Sequence, residues 1–199
     1  MNNSRIDDEE LLHLALRASD ENRHEDAISY LKRALDISPN NAKAHYLLGA
    51  EHAEIGLYDR ATEEMAKAVK IDPDMVTAQF QLGLLHITSA RVSEAEASWK
   101  PLDKLGPNNP FYLFKTGMLH LARDEFEACI ETLEKGIKLN QQNLPLNNDM
   151  RRVINDVTAK LSANTGAATP ATTPPDTGKT KFPRDTRLSA YRQSPDEKE

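Results

Sequence analysis

The sequence has little of what marks a secreted, membrane-spanning or disulfide-bonded protein. Its 199 residues include a single cysteine, Cys129, so no disulfide can form within the chain. No apolar run approaches the ~18–20 residues needed to span a bilayer. The first residues, MNNSRIDDEELL, lack the basic and apolar regions of a secretory signal. These features predict a soluble protein of a reducing compartment, most simply the cytoplasm, with no transmembrane segment.

Catalytic and nucleic-acid-binding features are also scarce. We find no phosphate-binding glycine-rich loop, no HExxH, no CxxC and no EF-hand loop. The formal net charge of −6 argues against nucleic acid as a partner of the folded part, because phosphate contacts need a cationic surface. The sequence therefore predicts a protein that is not an enzyme and that needs no cofactor and no metal.

What the sequence does contain is a repeat with a period of 34 residues. Three heptads share the pattern aromatic-x-x-Gly-x-x-His, namely YLLGAEH at 46–52, FQLGLLH at 80–86 and FKTGMLH at 114–120. Other residue types recur at the same interval: Pro39, Pro73 and Pro107; Ala27, Ala61, Ala95 and Cys129; Leu31, Met65, Trp99 and Leu133.

These residues resemble the signature of the tetratricopeptide repeat family. That signature has a Leu-Gly pair and an aromatic in the first helix, a small-x-x-x-large pattern in the second helix, and a proline after it. The resemblance implies an all-α fold, a right-handed α-solenoid of helix-turn-helix hairpins that bury their apolar faces on one another. The predicted segments are a flexible N-terminus 1–7, units 8–41, 42–75, 76–109 and 110–143, a capping helix 144–162 and a disordered tail 163–199.

Two places depart from the family pattern. The fourth unit is degenerate, since Gln141 stands where proline is expected and Gly136 replaces a small apolar residue. Pro101 lies inside the second helix of the third unit, where it removes a helical hydrogen bond, so we expect a kink or fraying after Trp99. The segment after the fourth unit is predicted to cap the solenoid, because its apolar residues fall on one helical face: Leu146, Met150, Val153, Ile154, Val157 and Leu161.

The histidines of the three heptads, His52, His86 and His120, occupy the slot where the family usually has tyrosine. This slot lies between the two helices of a unit. Packing is the expected role, with pH-sensitive stability and metal binding as the alternatives. Neighbouring helices sit about 8–10 Å apart, whereas a zinc ion needs its ligand nitrogens about 2.1 Å away, so we expect no metal here.

The resemblance also implies a ligand groove on the concave surface, lined by fixed slots of each first helix. Carried over residue by residue, those slots predict an apolar groove made of Leu12, Leu16, Tyr46, Ala50, Phe80, Leu84, Ile87, Phe111, Phe114, Met118 and Leu121. An exposed apolar surface of this size marks an interaction site. The alternative is that the aromatic residues of the fourth unit pack against the capping helix or the tail.

The tail changes composition. Its first part is small, polar and proline-rich, which is typical of a flexible linker. Residues 179–192, KTKFPRDTRLSAYR, are locally basic and contain three large apolar or aromatic residues. The alternatives are a solvated tail, a short motif that docks on a partner, an acidic surface or anionic lipid, and a segment that occupies the protein's own groove. The candidate motif residues are Lys179, Lys181, Phe182, Arg184, Arg187 and Tyr191.

The sequence thus predicts a protein-interaction adaptor or scaffold that binds a partner peptide or amphipathic helix in its groove. One alternative is a holdase-type chaperone for an apolar client segment, which resembles the small tandem-repeat chaperones of bacterial secretion systems. A weaker one is a scaffold subunit of a pilus or polymer-export assembly. The oligomeric state does not follow from the sequence, and the fold alone does not give the partner.

Overall fold

The computed structural model describes residues 7–165, and every regular element within them is helical. The predicted N-terminus up to residue 6 and the candidate tail motif at 179–192 lie outside these residues. The helices are α1 Asp8–Asp20, α2 His24–Ile37, α3 Ala42–Glu54, α4 Tyr58–Ile71, α5 Val76–Thr88, α6 Val92–Trp99, α7 Pro110–Ala122, α8 Phe126–Leu139 and α9 Leu144–Thr165. A 3₁₀ helix, Lys100–Leu105, follows α6.

The helices form antiparallel pairs that stack in chain order. The most extensive contacts join α1 to α2, α3 to α4, α5 to α6 and α7 to α8. Each pair then packs on the next one, and α9 packs on α8. A hairpin of two amphipathic helices cannot bury its own apolar faces, so the core runs continuously through the stack. This architecture confirms the predicted all-α solenoid.

The turn inside each pair places one residue in the left-handed region of backbone space. These residues are Asn22, Gly56, Ala90 and Asp124, with φ angles of 57°, 80°, 57° and 59°. They are spaced by the same 34 residues as the heptads. Glycine adopts this conformation freely, and asparagine and aspartate tolerate it, whereas alanine pays a steric cost at its Cβ.

We therefore expect Ala90→Gly to stabilise the protein. Removing the Cβ relieves about 1–2 kcal/mol of strain, and the added freedom of the unfolded chain takes back about 0.4–1 kcal/mol. The net gain should be on the order of 0.5 kcal/mol, measured as a higher urea midpoint. The matched change Gly56→Ala, at the equivalent turn, should lower the midpoint, and a fall of the midpoint in Ala90→Gly would contradict this assignment.

Three of the first helices begin with a side-chain cap. The side chain of Asp7 accepts a hydrogen bond from the backbone N–H of Glu10 at 2.8 Å, and Asn41 accepts from Ala44 at 3.0 Å. Asn109 caps α7 in the same way. These caps satisfy backbone donors that a helix end leaves without partners. Met75 holds the equivalent position before α5 and makes no side-chain cap.

The first two junctions between units are held by polar side chains buried in the stack. Glu51 on α3 accepts a hydrogen bond from Ser19 Oγ at 2.5 Å, and its Oε2 lies 2.8 Å from the ring Nδ1 of His24. Both partners belong to the first unit. The ring Nε2 of His45 lies 3.0 Å from the carbonyl oxygen of Pro39. In the next unit, at the position equivalent to His45, the Gln79 amide donates to the carbonyl oxygen of Pro73.

Pro101 interrupts the third unit as predicted. The α-helix ends at Trp99, and the chain continues as the 3₁₀ helix. Proline lacks the N–H that would continue the α-helical ladder. The 3₁₀ helix brings Asp103 to Lys115 of α7, a lysine whose side chain is buried and pairs with that carboxylate. An ion pair therefore helps to join the third and fourth units.

The capping helix α9 buries the apolar face that the sequence predicts for it. Leu146, Met150, Val153 and Val157 are each at most 4% exposed. Ile154 and Leu161 are partly buried against the same core.

Asparagines make the junction of α9 with α8. The Asn140 amide donates to Asn147 Oδ1 at 2.9 Å, and the Asn147 amide donates to the Asn140 carbonyl at 2.8 Å. Asn143 closes the turn by accepting from the N–H of Leu146 at 3.0 Å. We call Asn140, Asn143 and Asn147 the asparagine cluster. It lies where the earlier units have proline, so side-chain hydrogen bonds fix the turn in place of a restricted backbone.

We expect Asn147→Ala to loosen the capping helix. The change leaves the buried carbonyl of Asn140 without its donor, a loss of about 1–3 kcal/mol. Amide hydrogen exchange along α9 should become faster than in the wild type. Asn148→Ala is the matched control, because Asn148 is exposed and contacts only its own helix. Equal exchange rates in the two variants would contradict the role of the cluster.

Candidate functional site

The predicted groove residues lie on one side of α1, α3, α5 and α7, which we call the inner face. The structure corrects the expectation that they form an exposed apolar surface. Nine of them are at most 8% exposed, and only Leu16 and Phe111 are partly accessible. The nine buried residues are Leu12, Tyr46, Ala50, Phe80, Leu84, Ile87, Phe114, Met118 and Leu121. Their contact with a ligand stays a prediction.

The burial has a physical reason in the third and fourth units, where four rings pack together. The Phe80 ring stacks on Trp99 at a centroid distance of 5.8 Å, meets Phe111 edge-on at 5.4 Å and lies 6.3 Å from Phe114. The indole N–H of Trp99 donates to the Phe80 carbonyl at 2.9 Å. We call these four residues the aromatic cluster. Aromatic pairs at such distances add stability beyond the area they bury.

Gly136 makes room for the cluster. A Cβ at this position would lie 2.5 Å from Cε1 of Phe114. The Phe114 ring therefore packs directly against the backbone of α8, where a side chain would otherwise stand. In the sequence, Gly136 is an irregularity of the fourth unit. In the structure, its missing side chain leaves the space that the Phe114 ring fills.

The inner face is open at the first two units. A cavity of about 270 Å³ lies between α1 and the start of α3. We call it the N-terminal cleft. Its lining comes mainly from α1, and the residues are Asp8, Glu9, Leu12, His13, Leu16, Asn41 and Lys43. Two of the predicted groove residues, Leu12 and Leu16, form its apolar part.

The rest of the cleft is polar, with two acids and one lysine. Glu9 and His13 are exposed, while Asp8, Asn41 and Lys43 are half-buried. A hydrogen bond from Ser38, and a further one from Asn41, hold the pKa of the Asp8 carboxyl below its usual value. The Asn41 amide lies 3.4 Å from Asp8 Oδ2. Asp8 is therefore ionised at neutral pH, and two carboxylates face one ammonium group.

Sequence reasoning missed three of these residues as parts of a site, namely Asp8, His13 and Asn41. Glu9 and Lys43 are each the second residue of their repeat unit, a position that the family resemblance assigns to the concave surface. Asp8 begins the first unit, and Asn41 ends it. No spacing rule would have found them, because the cavity depends on how far α1 and α3 stand apart.

Comparisons with known proteins agree with this geometry. A TPR repeat model matches residues 19–56, and a tetratricopeptide repeat model matches residues 42–75. This chain contains tetratricopeptide repeats. No curated protein shows significant sequence similarity to it.

Solved structures are similar to a larger share of the chain. A crystal structure of MamA matches with a TM-score of 0.57 and 19% identity over 67% of this chain and 78% of that chain. MamA 41-end from Desulfovibrio magneticus RS-1 gives a TM-score of 0.57 at 18% identity, with coverage of 80% and 93%. MamA MSR-1 gives 0.54 at 15% identity, with coverage of 92% and 95%. At these identities the likeness shows the fold.

The tetratricopeptide tyrosine slot holds histidines in this protein, and they differ in their surroundings. His52 is 5% exposed, and its Nδ1 is buried without a hydrogen-bond partner. His86 also has a buried Nδ1 without a partner. His120 pairs with Glu125 in the turn that follows α7. Burial lowers the pKa of both His52 and His86, since it disfavours their charged forms.

These lowered pKa values predict a loss of stability in acid. A histidine whose folded pKa lies below its unfolded value of about 6.5 contributes its full stability above that pH. The contribution falls as the pH drops below about 6.5, because the unfolded state then binds more protons. His52→Gln should therefore flatten the decline of the melting temperature between pH 7 and pH 5. The exposed His13→Gln is the control, and an unchanged slope in His52→Gln would contradict the assignment.

Other chemistry is sparse in the part of the chain that the structure describes. Within residues 7–165, no three His, Cys, Asp or Glu side chains lie close enough to hold a metal ion. None of the described helices has both the length and the apolarity to cross a lipid bilayer. Cys129 is fully buried in α8, and burial raises the pKa of its thiol to about 11, so it is a poor nucleophile at neutral pH.

Proposed function

We propose that this tetratricopeptide repeat protein is a scaffold that recognises a short segment of a partner protein in the N-terminal cleft. Tetratricopeptide repeats serve in general as protein-interaction scaffolds. The observation that carries the finer proposal is the cleft itself, which combines the apolar side chains of Leu12 and Leu16 with the carboxylates of Asp8 and Glu9. It lies on the face that the family uses for ligands.

The chemistry of the cleft defines the partner. An apolar side chain laid on Leu12 and Leu16 would gain about 25 cal/mol for each Å² removed from water. A lysine or arginine next to it would meet the two carboxylates, and such complementarity contributes mainly specificity and association rate. The partner segment is therefore expected to combine a basic residue with a large apolar one.

The burial of the inner face favours an adaptor over a holdase. The chaperone alternative depends on a long exposed apolar surface that could hold an aggregation-prone client. Phe80, Ile87 and Phe114 have no exposed area, so a client could reach them only after the core opened. No observation favours the third alternative, a pilus or polymer-export subunit.

A photo-crosslinking experiment tests this function. A photoreactive amino acid replaces Leu16 in the cleft or, as the control, Glu63, which is exposed on α4. After illumination in the cells that make the protein, crosslinked partners are identified by mass spectrometry. A partner captured from position 16, absent from position 63 and reduced by Glu9→Lys, supports the proposal. Identical products from both positions would contradict it.

A further inference from the structure

The N-terminal cleft and the candidate tail motif have complementary chemistry. Residues 7–165 contain 18 Lys and Arg against 26 Asp and Glu, a net charge of −8. Residues 179–192 contain five Lys and Arg against one Asp, a net charge of +4. The cleft offers carboxylates beside an apolar surface, and the segment offers cations beside Phe182, Leu188 and Tyr191.

The acidic character of the cleft extends along the start of α1. The four consecutive residues Asp7, Asp8, Glu9 and Glu10 all carry carboxylates, and Lys43 is the cation that lines the cleft. A segment with several cations therefore meets a net attraction there. Such an attraction between exposed groups is screened beyond about 8–10 Å at physiological salt, so it acts at contact range.

The chain is long enough to bring the two together. Residues 166–178 separate the end of α9 from the basic segment, and 13 extended residues reach at most about 43–47 Å. The first helices and α9 make four sideways steps of about 8–10 Å each, or about 32–40 Å. The end of α9 also lies about 30 Å along the helix axis from its start, whereas the cleft lies beside the first turns of α1, so the separation is about 40–50 Å. The linker spans this distance only when it is close to extended, and the 14 residues of the segment add their own length to the reach.

We propose that residues 179–192 dock in the N-terminal cleft of the same chain and compete there with the partner segment. This proposal rests on the proposed function, since it names a ligand for the same cleft. A nearly extended linker gives a lower effective concentration than a short flexible one. Docking is therefore weak and reversible, and a partner segment of the same chemistry displaces it.

A spin label on the tail of the full-length chain tests the contact. Ser189→Cys introduces a labelling site within the segment, while Cys129 stays unlabelled because its thiol is buried with a raised pKa. Paramagnetic broadening is then read on backbone amides of the ¹⁵N-labelled protein. The amides of Glu9 and Leu12 should lose intensity, and those around Glu63 on α4 should not.

Charge variants and mixed samples decide between the outcomes. Glu9→Lys should restore the amide intensities in α1, whereas the matched exposed change Glu63→Lys should leave the loss in place. The proposal is overturned if the wild type shows no loss in α1, or if the loss persists in Glu9→Lys. A mixed sample contains one chain with the spin label but no ¹⁵N and a second chain with ¹⁵N but no spin label. The proposal is also overturned if the second chain is broadened to the same extent, since the contact would then join two molecules.

The two proposals fail separately. If the photoreactive residue at position 16 captures a partner while the spin label leaves α1 unaffected, the cleft binds partners and the tail does not enter it. If α1 is broadened and no partner is captured, even from a chain carrying Arg184→Glu and Arg187→Glu, the tail binds the cleft and the proposed scaffold function is wrong.

Discussion

Phe80→Glu is expected to abolish the folded state. Phe80 has no exposed area and contacts the other three rings of the aromatic cluster. Truncating a buried phenylalanine costs about 3–5 kcal/mol, and an unpaired carboxylate in the same site adds a further penalty. Together these approach the whole stability of a typical domain, about 5–15 kcal/mol. Circular dichroism should show no cooperative melt, or one at a much lower temperature.

The control for this change places the same charge at an exposed apolar position. Ile37 ends α2 and is 53% exposed, so Ile37→Glu should alter stability by at most about 0.5 kcal/mol. A Phe80→Glu protein that melts like the wild type would show that Phe80 is accessible. The inner face of the third unit would then be the open apolar groove that the sequence predicts.

Gly83→Ala is expected to be the most damaging of the conservative changes. A Cβ at position 83 would lie 2.0 Å from Nε1 of Trp99 and 2.2 Å from its Cε2. The rigid indole would have to move, and its 2.9 Å hydrogen bond to the Phe80 carbonyl would be lost. Overpacking costs about 1–3 kcal/mol and the hydrogen bond about 0.5–1.5 kcal/mol, against a gain of about 1 kcal/mol in helix propensity. We expect a net loss of about 2 kcal/mol.

The equivalent glycine of the second unit supplies a matched control. A Cβ at Gly49 would lie 3.0 Å from Cγ of Met65 and 3.1 Å from the backbone oxygen of Ala61, so α4 would have to shift by only a few tenths of an ångström. Gly49→Ala should therefore cost less than Gly83→Ala, as urea unfolding would measure. Trp99 is the single tryptophan of the chain, so its fluorescence reports the site directly. A larger loss in Gly49→Ala would refute this reading of the third unit.

The fold could be predicted from the sequence because the residues that pack the helices recur with the period of the repeat. Glycine, small residues and proline recur at the interval of one helical hairpin, and each type has one physical role there. Pro101 likewise predicts the end of α6, since its backbone cannot continue an α-helix. The apolar face of α9 follows from helical spacing alone. Such features depend on local backbone geometry, so a single amino-acid sequence predicts them.

The exposure of the inner face could not be read in the same way. A slot number says which side of a helix a residue occupies, but not how closely the next helix approaches. Phe114 is buried because Gly136 on another helix leaves a gap, and Phe80 because Trp99 stacks on it. Lys115 likewise pairs with Asp103, which lies on a helix of the preceding unit. These contacts arise only when separate helices pack on one another.

The junctions between units also bear on how the stack assembles. The backbone repeats, but a carboxylate joins the first two units, an amide the next two, an ion pair the following two, and asparagines hold the cap. Similar hairpins in one chain risk pairing with the wrong neighbour during folding. At the first junction, a misplaced hairpin would leave the buried carboxylate of Glu51 without Ser19 and His24, at a cost of about 1–3 kcal/mol. The long-range contacts of Glu51 therefore favour the native neighbour at this junction.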